Sequence, residues 1–91
     1  MAIDMLLFST SWCGPCKAME RAGVYKTVEE AGFPVTKIDG DTNRELLNQY
    51  GVMAFPTMII RSDGVPVGRL IGAKDANTLL RELRLAEERN A

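Results

Sequence analysis

The sequence predicts an α/β fold: a four-stranded mixed sheet flanked by three helices, in the order β-α-β-α-β-β-α. Three observations carry that prediction. Short apolar runs with strand character alternate with longer stretches whose apolar residues recur every three or four positions. Glycines stand where two of the helical stretches should stop, at Gly32 and Gly51. Asp63-Gly64 separates two strand-like runs and signals a tight hairpin. A length of 91 residues suits one small domain, so residues 1–91 are read as a single unit.

The elements follow in chain order. Ile3 to Phe8 (IDMLLF) is mostly apolar and reads as a strand buried on both faces. Pro15 suits the first turn of a helix, where its missing N–H costs nothing. The helix is expected from about Pro15 to Ala31, with Ala18, Met19, Ala22, Tyr25 and Val28 on its apolar face. Gly23 weakens it and Gly32 stops it. Val35 to Asp39 (VTKID) is the second strand. Thr42 and Glu45 have capping-box spacing and open a helix to about Tyr50. Thr57 to Arg61 and Val65 to Ile71 form the hairpin, and Pro66 argues that the last strand lies at an edge. Asp75 caps a final helix that buries Ala76, Leu79, Leu80 and Leu83, with the tail EERNA expected to fray. The first two strands, joined through a helix, should be parallel by a right-handed crossover.

Composition removes several function classes. With 11 basic and 12 acidic residues the net charge is −1, without the basic excess of a nucleic-acid or membrane-surface protein. No stretch approaches a membrane span, and the N-terminus MAIDMLLFST lacks a basic leader, so a cytoplasmic location is expected. There is no histidine, which removes imidazole as a base and as a metal ligand.

The only two cysteines lie in SWCGPCK, residues 11–17. Paired so closely they enclose too small a loop to staple a fold. They also supply only half of a four-ligand zinc site, so no metal site is expected. Their position, where a buried strand ends and a helix begins, suits redox chemistry instead. Backbone N–H groups and the helix dipole at that point favour a thiolate on Cys13. Cys13 is expected at the exposed lip as the nucleophile, and Cys16, one turn further in, as the resolving thiol. Gly14-Pro15 makes the stiff turn that keeps the sulfurs close. The implied chemistry is two-step exchange that ends in an internal Cys13–Cys16 disulfide, with no bound cofactor.

WCGPCK, followed downstream by Phe55-Pro56-Thr57, the Asp63-Gly64 hairpin and then Gly72, resembles the thioredoxin family over about Ile3 to Leu83. The resemblance implies that Cys13 and Cys16 are the redox pair and that Trp12 is the aromatic beside it. It implies a cis proline at Pro56, with Phe55, Pro56 and Thr57 forming one wall of a client groove and Gly72 and Ala73 the other. An extended client segment would pair with that backbone by strand addition. It further implies a monomer recharged by an NADPH-dependent flavoprotein thioredoxin reductase, acting on disulfide-containing client proteins.

Departures accompany the likeness. The family usually begins with an extra strand and helix, so this chain reads as a trimmed member. The family's buried aspartate falls at Leu7 and its lysine partner at Val35, so both charges are expected to be replaced by apolar residues. Cys16 is then without a visible base, and its resolving step is expected to be slow and to quicken with pH. Arg21 replaces the proline that kinks the family's long helix, which predicts a straighter helix here. Two other functions fit the same residues. One is a glutathione-dependent, glutaredoxin-like reductase, suggested by the short element order and by Gly72 with Asp75. The other is a non-catalytic binding subunit that grips a partner through Trp12, Pro15, Phe55 and Ala73.

Overall fold

The computed structural model describes residues 2–91. Its elements are β1 (Ile3–Ser9), α1 (Gly14–Arg21), α2 (Val24–Glu30), β2 (Val35–Asp39), α3 (Arg44–Tyr50), β3 (Thr57–Ser62), β4 (Val65–Ile71) and α4 (Ala76–Arg89). The four strands form one sheet in the order β2-β1-β3-β4. β1 and β2 run parallel, while β3 lies antiparallel to both β1 and β4. This is the mixed sheet that the sequence predicts.

β1 is buried on both faces because it is central. Met5 and Leu7 join Met19, Tyr25, Val28, Met58, Leu79 and Leu83 in a core under α1, α2 and α4. Leu6 and Phe8 point the other way, toward Ile38, Val52 and Ile59, with Leu46, Leu47 and Tyr50 of α3 packed over them. Asp4 and Arg61 face one another across the β1–β3 ladder. Their side chains form a two-pronged ion pair, with Nε to Oδ1 at 3.0 Å and Nη2 to Oδ2 at 2.5 Å. The guanidinium is held more firmly protonated than usual, first by the hydrogen bond to Asp4.

The hairpin forms as expected. Asp63 and Gly64 both take positive φ, 50° and 83°, as the tight turn of a right-twisted hairpin requires. Pro66 lies on the edge strand, opposite Arg61, at a register shift between Ile60 and Arg61. Asp75 caps α4, accepting from the Thr78 N–H at 2.8 Å.

Four expectations are corrected. The helix after the cysteines is two helices, not one straight helix. Gly23 adopts φ +70° and ends α1 before α2 restarts. Ala18 and Ala22, assigned above to the apolar face, are exposed, while Val24 is buried. α3 starts at Arg44 without a capping box; Asn43 occupies the cap position and its amide ties back to the Asp39 carbonyl at 2.9 Å. The end of α4 is helical through Arg89, so Glu87, Glu88 and Arg89 do not fray.

Candidate active site: the Cys13–Cys16 pair

β1 delivers the chain to the site and α1 organises it. Beyond Ser9 the chain turns through Thr10, Ser11 and Trp12, and Cys13 takes the N-cap position of α1. Cys13 and Cys16 are joined by a disulfide with Cα atoms 5.3 Å apart. The Cys16 backbone N–H donates to Cys13 Sγ at 3.2 Å. The sulfur of Cys13 therefore occupies the place that a Ser or Asp oxygen takes at an ordinary N-cap, where negative charge is favoured.

Cys13 is not at an exposed lip. It is 4% exposed and Cys16 is 5% exposed. Both residues of the closed disulfide are thus buried. The exposed feature beside them is Trp12, at 69%. Asp41 fixes that ring. Its carboxylate accepts from Trp12 Nε1–H at 3.0 Å and from the Ser11 hydroxyl at 3.2 Å.

The Phe55–Pro56 bond is cis, and Pro56 is fully buried. The Phe55 ring meets Trp12 edge-on, with centroids 5.9 Å apart. The Gly72 N–H donates to the Pro56 carbonyl at 2.9 Å, which joins the two segments expected to wall the groove. Gly72 has φ +90°, a backbone that favours glycine. Gly14, Pro15 and Ala73 are exposed. Thr57 is buried instead, with its hydroxyl on the Ala54 carbonyl at 2.7 Å, so it shapes the loop rather than lining a surface. Gly40 was missed in the sequence. A Cβ there would lie 2.6 Å from the Phe55 ring, so only glycine lets Phe55 sit where it does.

A solvent-open cleft of about 250 Å³ adjoins Cys16. Its wall includes Lys17, Glu20, Tyr25, Lys37 and Asp39. Lys37 Nζ lies 3.0 Å from Glu20 Oε1 and 5.4 Å from the centroid of the Tyr25 ring. The Tyr25 hydroxyl is buried without a partner, and burial, then the charge of Glu20, pushes its pKa up to about 12. The expectation of an uncharged neighbourhood behind Cys16 is thereby corrected. Leu7 is indeed buried and apolar, but its register partner on β2 is Lys37, not Val35. Strand periodicity could have shown this, since Lys37 and Val35 share one face. Glu20 could have been found as the residue one helical turn beyond Cys16.

Among the described residues, no group of three or more His, Cys, Asp or Glu side chains could hold a metal ion. No helix among them is long and apolar enough to cross a membrane. A mixed four-stranded sheet with a cysteine pair opening a helix, faced by a cis-proline loop, defines a redox-type α/β fold. The thioredoxin family model matches residues 2–85, and the chain belongs to that family. It is similar to a thioredoxin of Mycobacterium tuberculosis, 43% identical over 77 residues. That match takes in 84% of this chain and 66% of the relative, so the chain spans just under two thirds of that relative's length. A bifunctional thioredoxin reductase/thioredoxin of Mycobacterium leprae is 40% identical over 79 residues, covering 84% of this chain and 17% of that protein. Among solved structures, a thioredoxin variant from Halobacterium salinarum superposes with a TM-score of 0.82 at 34% identity, covering 89% of this chain and 71% of that one.

Proposed function

We propose that the protein is a thiol–disulfide oxidoreductase that reduces client-protein disulfides through the Cys13–Cys16 pair. The observation that carries this is the disulfide at the N-terminus of α1, with a helix N–H on Cys13 Sγ. In the reduced pair, the same N–H and the helix dipole favour the Cys13 thiolate. That thiolate attacks a client disulfide, and one client sulfur leaves as thiolate and takes a proton from water. Cys16 then attacks Cys13 Sγ and expels the second client sulfur. The client gains two electrons and the pair becomes the disulfide. Trp12, Gly14, Pro15, Phe55, Gly72 and Ala73 form the surface that receives the client, and the buried Pro56 and Thr57 shape the loop beneath it.

An NADPH-dependent flavoprotein thioredoxin reductase recharges the pair. Two observations support this donor over glutathione. The Mycobacterium leprae relative is a bifunctional thioredoxin reductase/thioredoxin. Asp75, the carboxylate that suggested a glutathione site, already accepts the Thr78 N–H at the cap of α4. The cytoplasm, a reducing compartment, is the setting such a reductase needs. The test follows NADPH consumption with insulin as client, once with thioredoxin reductase and once with glutathione plus glutathione reductase. Turnover with the first alone is expected, and turnover with the second alone would overturn the choice of donor. Cys16→Ser should trap clients on Cys13 as mixed disulfides. A function kept by the Cys13→Ser/Cys16→Ser double variant would point to a binding subunit instead.

A further inference from the structure

We propose that Met53 is an oxidation site at the rim of the client surface, and that its conversion to the sulfoxide weakens the docking of protein clients while leaving the exchange chemistry intact. The effect on docking rests on the exchange reading above; the site of oxidation does not.

The sulfur atoms of the chain are unequally placed. Met5, Met19 and Met58 are buried in the core under α1, α2 and α4. Cys13 and Cys16 are buried and joined to one another. Met53 is 94% exposed, and among the described residues it is the one sulfur-bearing side chain that solvent reaches freely. Oxidation of a sulfur needs access by the oxidant. In the disulfide form no thiolate is left to consume a peroxide, so the thioether of Met53 is the sulfur that a peroxide meets.

The fold holds Met53 in that position. Val52 before it is buried in the core beneath α3, and its N–H donates to the Leu47 carbonyl at 2.8 Å. The carbonyl of Ala54 after it accepts from the Thr57 hydroxyl at 2.7 Å. Just upstream, the Arg69 guanidinium of β4 donates to the carbonyls of Tyr50 and Gly51. With both neighbours tied down, the chain presents the Met53 side chain outward. Two residues further on stands Phe55, edge-on to Trp12 and followed by the cis bond to Pro56. Met53 and Ala54 are both exposed, so they extend the apolar surface of Trp12 and Phe55 along this loop. A client spread over that surface meets a flexible apolar side chain that adapts to its shape. Oxidation puts a polar oxygen there instead, which loses water whenever a client covers it.

The step takes one peroxide per methionine. A peroxide oxygen passes to Met53 Sδ, the O–O bond breaks and an S–O bond forms. The sulfur gives up two electrons and the remainder of the peroxide leaves as water.

The test treats the disulfide form with hydrogen peroxide, removes the oxidant and maps the peptides by mass spectrometry. Oxygen should appear on Met53 well before Met5, Met19 and Met58; a gain at Met53 no faster than at those three overturns the proposal. Dithiothreitol then opens the disulfide and leaves the sulfoxide in place. After its removal the chain is mixed with insulin, or with 5,5′-dithiobis(2-nitrobenzoate), in a stopped-flow instrument. The second-order rate constant with insulin should fall about threefold to tenfold, a part of what full burial of a methionine side chain is worth. The rate constant with the small disulfide, which needs only the Cys13 sulfur, should stay within about twofold. Equal losses with both, or no loss with insulin, overturn the proposal. Methionine sulfoxide reductases A and B together, one for each epimer, should restore the insulin rate. Met53→Leu should give the same insulin rate before and after peroxide, and a loss that persists in this variant overturns the assignment to Met53. An untreated chain that reduces neither disulfide overturns the exchange reading, and the effect on docking with it; the peptide map still decides the site of oxidation.

Discussion

Tyr25 gives a prediction whose size can be worked from the structure. Its ring is 7% exposed, its hydroxyl has no protein partner, and its pKa is pushed from 10.0 up to about 12 by burial and then by Glu20. In the unfolded chain the phenol ionises near its ordinary value of about 10. Below that pH both states hold the proton and the shift has no effect on stability. Above it the unfolded chain loses the proton while the native protein keeps it, so stability falls as pH rises toward 12. The slope approaches ~1.4 kcal/mol per pH unit. Tyr25→Phe removes this loss. Relative to the native chain, the variant should gain about 1 kcal/mol at pH 11 and about 2 kcal/mol near pH 12. At pH 7 the two should agree within about 1 kcal/mol, because the hydroxyl bonds to no protein group. The assay is urea unfolding of both chains at pH 7, 9, 10 and 11, analysed as a difference. Every other titrating group is common to both chains, so the difference isolates Tyr25. A stability difference that stays constant from pH 7 to 11 would refute the reasoning. So would a spectroscopic titration placing Tyr25 near its ordinary value.

Three further outcomes are expected. Gly40→Ala drives a methyl into the Phe55 ring, which must move away from Trp12; the fluorescence of the single tryptophan should shift and kcat/KM for insulin reduction should fall several-fold, whereas an unchanged spectrum and rate would count against the packing described. Leu7→Ala empties a fully buried site at the centre of the sheet and should cost about 2–5 kcal/mol by urea unfolding; a loss under about 1 kcal/mol would mean that the core closes over the gap. Asp4→Ala and Arg61→Met, taken singly and together, should give a coupling of about 1–3 kcal/mol, as for a partly buried, charge-assisted pair; additive effects would show that the cross-strand pair contributes nothing specific.

The parts of the fold that were legible rest on local chemistry. Asp63-Gly64 dictates a turn because few other dipeptides accept positive φ at both positions, and the hairpin strands follow from it. Asp75 caps α4 because its carboxylate needs only the N–H of Thr78. The parts that were not legible depend on neighbours. A glycine inside a helix costs only about 1 kcal/mol relative to alanine, so the periodicity around Gly23 reads as one continuous helix. The break appears only in the left-handed backbone of that residue. Asn43 defeats the capping box in a similar way, by reaching back to the Asp39 carbonyl. At the site, the cysteine pair, Trp12 and Phe55 were readable as residue types, while the edge-on contact of the two rings was not. Nor was the shelter of Cys13, because burial at a strand-to-helix turn depends on how the surrounding chain packs. Gly40 carries no signal by itself, since its role is set by a ring that arrives from residue 55.

The neighbourhood of Cys16 shows why position-by-position comparison misplaces charge. An aspartate at the centre of β1 and a lysine at Val35 would both have to be desolvated, and such a pair gains stability only when its geometry repays that cost. With Leu7 and Val35 in those places the core stays apolar around β1. The charge on β2 stands at Lys37, the register partner of Leu7 on the edge strand, and pairs with Glu20 on α1. Both heads keep contact with water there, so the pair needs little desolvation, and the cleft between α1 and β2 stays open at its mouth. A buried carboxylate can hold a proton beside a thiol; an exposed ion pair cannot.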